Sequence, residues 1–357
     1  MGLQALTPTP ALDDEPAPFS EARVLSPEWL TKVLGARYSG AVVTAVNVTE
    51  RLETVATKER FTVEYATPVD APHAFCVKAY FNPAMQARAA TGQPEVSFYI
   101  DVAPSAAMRV PPCVYAAVDP ATGHGLILME DLKAQNCTFL TALSPYSTDQ
   151  AKLTLNELAL MHARYWASPL LDEHAFLKSR LETITNYVTN EQLQAHLDDP
   201  RGEGVPADVL SAERLTQALL ATLKRNSGEP KTLVHGDAHA GNLYVPPDGR
   251  PGIIDWQVVQ GNTWAMDVAY HLGAVLTTAD REAHERELLE HYLARLAAHG
   301  GPSLTWDDAW LGYRINLIYG YYMWAITKMV DRPIINEFTQ RLGNAVAFHD
   351  SYGLIGK

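Results

Sequence analysis

Between Leu233 and Gln257 the chain reads LVHGDAHAGNLYVPPDGRPGIIDWQ, which gathers His235, Asp237, His239, Asn242 and Asp255 into one short segment. Two apolar stretches, Leu233-Val234 and Ile253-Ile254, frame these residues. That is the pattern of loops held by short strands, where rigid scaffolds place their chemistry. Asp237 and Asn242 share the first loop, and Asp255 follows a turn built from Pro246, Pro247, Asp248 and Gly249. A hairpin there is expected to carry the last carboxylate back toward the first loop. Two carboxylates and an amide oxygen are hard donors, suited to Mg2+ with bound phosphate; soft metals match them poorly.

The elements that must position these side chains follow from periodicity. SPEWLTKVL opens a helix, with Ser26 as cap, Pro27 and Glu28 in the first turn, and Trp29, Val33 and Leu34 to pack. AVVTAVNV, FTVEY, FCVKAYF and LILME have the alternation and β-branched content of strands. They predict a small antiparallel sheet, interrupted by one helix around PEVSFYIDVA. Beyond Asp131 the pattern turns helical, first in AKLTLNELALMHARYW behind a Ser/Thr/Asp cluster, then at about 211–224, 263–278, 281–298, 307–328 and 333–349. The expected division is a flexible extension over 1–25, a mixed lobe over 26–131 and a helical lobe over 132–357.

The formal charge is −13, from 28 Lys and Arg against 41 Asp and Glu, and no basic tract suits a nucleic-acid backbone. No apolar run approaches the roughly 18 residues of a membrane span, and the N-terminus lacks the order of a signal peptide. Cys76, Cys113 and Cys137 have neither metal nor redox spacing. A cytoplasmic protein with reduced thiols is expected, free of nucleic-acid and membrane partners and of undefined oligomeric state.

HGDAHAGN followed by IIDW resembles the catalytic and metal-binding loops of the aminoglycoside phosphotransferase and choline kinase-like superfamily, whose core is related to the protein kinases. SPEWLTKVL, LILMEDL and LALMHARYW are similar to its ecdysteroid kinase-like branch, over about residues 26–350. The resemblance implies an α+β, two-lobed protein-kinase-like fold with a small mixed N-terminal lobe and a larger helical one. It implies ATP and Mg2+ as cofactors and a small-molecule alcohol as acceptor.

By the same resemblance, Asp237 accepts or orients the proton of the acceptor hydroxyl, Asn242 is the amide metal ligand, and Asp255 binds the metal that bridges the nucleotide phosphates. Lys78 in FCVKAYF is the strand lysine that meets the α and β phosphates, and Glu95 is its ion-pair partner. Backbone groups around Met129, Glu130 and Asp131 receive the adenine edge. His235 organises the loop and Asp267 caps or anchors it, while His239 is shared between contact behind Asp237 and loop packing. His162, on an apolar helix face, reads as a core histidine. The pattern departs from the family in NVTERLETVATKERF, which has no glycine where a phosphate-covering loop needs close backbone N–H approach. Thr54, Thr57 or their amides are the candidates for that contact.

The acceptor site is expected on the helical lobe, bordered by NCTFLTALSPYS and YRINLIYGYYMW. Tyr319, Tyr321, Tyr322 and Trp324 fall on more than one helix face, so only one or two can wall a bulky alcohol. Two other readings compete with phosphoryl transfer. One is a non-catalytic nucleotide- or small-molecule-binding protein with a kinase-like fold. The other is a metal-dependent hydrolase using His235, Asp237, His239 and Asp255, which leaves Lys78 and Glu95 without a purpose.

Overall fold

The computed structural model describes residues 5–179 and 181–355, which fall into two compact units. The first comprises the chain through Thr138 with Pro246–Asp248 and Ile254–Gln257; the second takes the remainder. In the first unit the elements are α1 (Glu21–Val24), α2 (Pro27–Gly35), β1 (Val43–Glu53), β2 (Thr57–Tyr65), β3 (Ala74–Ala79), α3 (Gln93–Ser97), β4 (Cys113–Val118) and β5 (Gly125–Glu130). The five strands form an antiparallel sheet in the order β1-β2-β3-β5-β4.

Alternation sorts the two faces of this sheet. Phe61 and Val63 of β2, Phe75 and Val77 of β3, and Leu126 and Leu128 of β5 join Trp29, Leu30, Val33 and Leu34 of α2 in one core. Lys58, Arg60, Cys76 and Lys78 therefore stand on the opposite face, where the register pairs Lys58 with Lys78 and Arg60 with Cys76. Ser26 caps α2 by accepting the Trp29 amide at 3.2 Å. The segment expected as one helix around PEVSFYIDVA is instead α3, a π turn over Phe98–Val102 and a 3-10 turn over Ala103–Ser105. Phe98, on the wider turn, stacks on Trp256 with ring centroids 3.8 Å apart.

Residues 5–25, expected as part of a loose extension, are packed against this sheet; Met1–Gln4 lie outside the described residues. Thr9 donates its amide to the Val114 carbonyl at 2.9 Å and bridges to Tyr115 on the outer edge of β4. Tyr115 donates its hydroxyl to Pro16 O at 2.7 Å, and Phe19 stacks on His124. His124 accepts the Tyr80 amide on Nε2 at 2.9 Å, so its proton sits on Nδ1, which donates to Ala17 O at 2.8 Å. The segment is rich in Ala, Pro and acidic residues, yet Thr9 pins it to an edge strand that periodicity could not assign to it.

The second unit is mainly helical: α4 (Thr148–Tyr165), α5 (Leu170–Glu173), α6 (Asn190–Leu197), α7 (Ala212–Asn226), α8 (Trp264–Val275), α9 (Thr278–Ala298), α10 (Trp306–Ile326), α11 (Arg332–Phe348) and α12 (Ser351–Leu354). Short strands follow β6 (Thr138–Phe139), namely β7 (Thr232–Val234), β8 (Leu243–Val245), β9 (Gly252–Ile253) and β10 (Gln260–Asn262). β7 pairs with β10, and β8 with β9 through Leu243↔Ile253 and Tyr244↔Gly252. Ser147 and Gln150 close a capping box on α4, and Thr189 and Gln192 another on α6, a short helix that the apolar pattern did not announce. Every residue of α8 is buried. Among the described residues no helix is long and apolar enough to cross a membrane.

Candidate active site

Within the first unit, β3 presents Lys78 from the sheet face opposite the α2 core. Its Nζ donates to Glu95 Oε2 at 2.5 Å and to Asp255 Oδ1 at 2.9 Å, and the side chains of Lys78 and Glu95 are 6% and 2% exposed. Burial opposes the ammonium charge, but Asp255 and Glu95 outweigh it and hold Lys78 protonated. The other oxygen of Glu95 accepts the Trp256 amide at 3.3 Å, which ties α3 to the residue after Asp255. Asp255 itself has φ 68, a left-handed conformation that asparagine and aspartate tolerate better than most side chains. Lys58 lies on the same sheet face, its Nζ 3.6 Å from Asp255 Oδ2.

Of the residues expected to replace a glycine-rich loop, Thr54 gives both its amide and its hydroxyl to Ala56 O, and Thr57 is 1% exposed. The threonines close the hairpin on itself. At the end of β5, the Glu130 amide is committed to Pro112 O and the Asp131 amide to Ala74 O, each at 3.0 Å. Asp131 accepts from Arg60 Nε at 3.0 Å and from the Lys133 amide at 2.9 Å. These two N–H groups serve the sheet. Met129 is half-buried and pairs with Cys76.

In the second unit the HGDAHAGN loop is fixed from α8. Asp267, fully buried, accepts the His235 amide at 2.7 Å and the Gly236 amide at 2.8 Å, one on each oxygen. Its Oδ2 also lies 3.4 Å from His162 Nε2, whose ring is closed off by the Tyr292 hydroxyl at 2.8 Å. Gly236 has φ 82, and a Cβ there would meet Val258 O at 2.7 Å. Tyr319, one of the four aromatic residues weighed for the acceptor wall, donates its hydroxyl to Gly236 O at 2.7 Å, and Tyr321 and Tyr322 are fully buried. His235 Nδ1 accepts the Asp237 amide at 3.1 Å.

The Asp237 carboxylate is held by three neighbours. Tyr270 donates to Oδ1 at 2.8 Å, and Asn242 Nδ2 donates to Oδ2 at 3.0 Å and to the Asp237 carbonyl at 2.9 Å. His239 accepts the Gly241 amide on Nδ1 at 3.0 Å, so its proton is on Nε2, 3.4 Å from Oδ2. His239 also packs on Trp324 and Phe338, with ring centroids 5.0 and 5.1 Å away. Burial opposes ionisation of Asp237, but His239, His235 and Tyr270 together hold its carboxyl below the usual range.

Two of the three neighbours of Asn242 Nδ2, the Asp237 carbonyl and Oδ2, are acceptors and orient the amide with its nitrogen toward Asp237; the third is His239 Nε2 at 3.3 Å. The Asn242 amide oxygen in the second unit and the Asp255 carboxylate in the first are each hard donors of the kind that Mg2+ takes. A hydrolytic metal centre fits less well. Among the described residues no three His, Cys, Asp or Glu side chains converge, and the Nδ1 atoms of His235 and His239 both accept loop amides.

Sequence reading did not single out Lys58 or Tyr270. The signals were present: Tyr270 lies three residues after Asp267 on one helix face, and β2 alternation sets Lys58 opposite Phe61 and Val63.

Two solved structures share this fold. A Plasmodium vivax ethanolamine kinase, 14% identical, covers 86% of this chain and 83% of its own with a TM-score of 0.52. A choline kinase from Cryptosporidium parvum, 10% identical, covers 93% of both chains with a TM-score of 0.50. Among curated proteins none matches the chain. The model of the Ecdysteroid kinase-like family matches residues 93–300, more than half of the sequence and all of the segment from Glu95 through Asp267. With the α+β kinase-like fold described above, that match settles kinship: the chain belongs to the ecdysteroid kinase-like family.

Proposed function

We propose that this protein transfers the γ-phosphoryl group of Mg2+-bound ATP to a hydroxyl group of a small molecule. The observation that carries this reading is the Asp237 carboxylate, kept ionised and oriented by Tyr270, Asn242 and His239. Phosphoryl transfer asks a protein mainly to align donor and acceptor and to balance charge, with a base that takes the hydroxyl proton late. Asp237 is that base. As the acceptor oxygen bonds to phosphorus, its proton passes to the carboxylate and the bond to the ADP oxygen breaks. Lys78, oriented by Glu95, meets the nucleotide phosphates. Asn242 and Asp255 would hold Mg2+, which would balance the charge of the phosphate chain. Cys76, Cys113 and Cys137 are free, buried thiols, in keeping with a reducing compartment such as the cytoplasm.

The test incubates the purified full chain with Mg2+-ATP and a broad panel of alcohols, including sterols, terpenoid alcohols, amino alcohols and aminoglycosides, and reads phosphorylated products by mass. At least one alcohol should gain phosphate in the wild type, and Asp237→Asn should lower that rate by on the order of 10²–10⁴-fold with smaller changes in ATP binding. ATP bound tightly but never transferred would favour a binding protein. A chain that binds no Mg2+-ATP would end the kinase reading.

A further inference from the structure

The β1–β2 hairpin has no glycine, and Thr54 in its turn is spent internally. Thr54 gives N–H and O–H to Ala56 O, and Thr57 is buried. One cation next to that turn is differently placed. Lys58 sits directly across from Lys78 in the strand register, and its side chain is 31% exposed. The two ammonium groups address the two oxygens of one carboxylate, Lys78 at 2.9 Å from Asp255 Oδ1 and Lys58 at 3.6 Å from Oδ2. Their situations differ in one respect. Lys78 has Glu95 as a second, buried partner, whereas Asp255 is the only carboxylate within ion-pair distance of Lys58 among the described residues. A carboxylate that goes on to bind a divalent cation has less to offer two lysines. Lys78 keeps Glu95; Lys58 is left with a charge and no anion.

We infer that Lys58 is a phosphate-binding side chain, a point-charge substitute for the backbone amides that a glycine-rich loop would supply. Its ligand is the phosphate chain of the nucleotide, and the inference rests on the nucleotide reading given above. Three features support it: the ammonium shares a sheet face and a register pair with Lys78, it already reaches Asp255, and it is exposed enough to take a ligand. Lys58 contributes to the retention of nucleotides in proportion to their phosphates and adds little to the binding of the nucleoside.

The test is calorimetric titration of the full chain with adenosine, AMP, ADP and Mg2+-ATP, for the wild type and for Lys58→Met, Lys58→Gln and Lys58→Arg. Wild-type affinity should rise with the number of phosphates. Both neutral variants should lose about 10-fold or more for ADP and Mg2+-ATP, the scale of one charge-assisted contact, and less than about twofold for adenosine. Lys58→Arg should stay within about threefold of wild type, because the charge is kept. Melting curves by circular dichroism show which variants fold, and methionine and glutamine differ enough in strand preference that either can carry the comparison. Neutral variants that bind Mg2+-ATP within about twofold of wild type overturn the inference, and so does an equal loss for adenosine, which marks a structural role. A wild type that binds none of the four compounds would instead remove the nucleotide reading itself.

Discussion

Asp237 is an acid whose ionised form is supported by neighbours of different kinds, and among the described residues the Tyr270 hydroxyl is the one hydrogen bond to its carboxylate that comes from outside its own loop. Removing a hydrogen bond to a charged acceptor costs about 1.5–3 kcal/mol. If Tyr270 acts as a positioning residue, Tyr270→Phe should lower kcat about 10-fold and move the acid limb of the pH profile upward by about one unit, because the lost bond favours the carboxylate. The measurement is kcat/KM against pH on an acceptor found in the panel. A limb that stays in place beside an unchanged kcat would leave Tyr270 as packing alone. The same residues show what a sequence reveals at this scale. Lys78, Asp237, Asn242 and Asp255 stand in short motifs whose neighbours fix their type. Tyr270 stands in an all-buried helix, where a tyrosine with an assignment and a tyrosine in the core have the same spelling. Lys58 required knowing which residue of β3 lies across from it, and register is a property of two strands rather than one.

Among the elements, the turn leaving β7 carries the strictest demand. Its two amides end on one buried carboxylate of α8, its Gly236 carbonyl takes the Tyr319 hydroxyl of α10, and Gly236 is left-handed with Val258 O close behind it. Gly249 is also left-handed, at φ 77, but a Cβ there would meet nothing within 4 Å. The pair separates backbone strain from close approach. Gly249→Ala should cost about 1–2 kcal/mol, the price of a left-handed alanine, and Gly236→Ala at least about 2 kcal/mol more, since a backbone oxygen must also give way. Urea unfolding of the two variants checks this, and equal losses would mean that the loop yields without resistance. Element type was legible where apolar residues recurred at helical spacing, as in α2, α4 and α7–α11, with a cap signal besides in α2 and α4. It was not legible for α6, whose eight residues give periodicity little to act on, or for the π turn over Phe98–Val102, where the chain departs from the 3.6-residue period by which helices are recognised.

At the scale of the molecule, acid should find one specific weakness. His271 is completely enclosed on α8; its Nδ1 donates to Ala238 O at 2.9 Å, while its Nε2 has no hydrogen-bond partner among the described residues. Burial pushes its pKa down to about 4 from an ordinary 6.5. Between those values the unfolded chain holds the extra proton, so stability rises with pH through the window and is lost as pH falls from about 6.5 toward 4, by up to about 3 kcal/mol. His271→Asn keeps a donor for Ala238 O and does not titrate, so its urea midpoint should fall less steeply over the same range. Parallel curves for the two proteins would place the acid sensitivity elsewhere. Neither this enclosure nor the attachment of the N-terminal segment could be read from composition, which describes residues by what they are and not by what closes over them. That attachment has a practical side. Thr9 occupies part of the open rim of β4, Leu12 donates its amide to the Tyr115 hydroxyl, and the Trp29 indole donates to Glu15 O. An expression product trimmed of residues 1–19 would uncover unpaired strand groups beside an apolar core, the ordinary template for edge-to-edge association. Such a product should run as dimers or larger species in size-exclusion chromatography while the full chain does not, in which case a proline-rich beginning that invites removal would be the part that keeps the sheet from recruiting a second one.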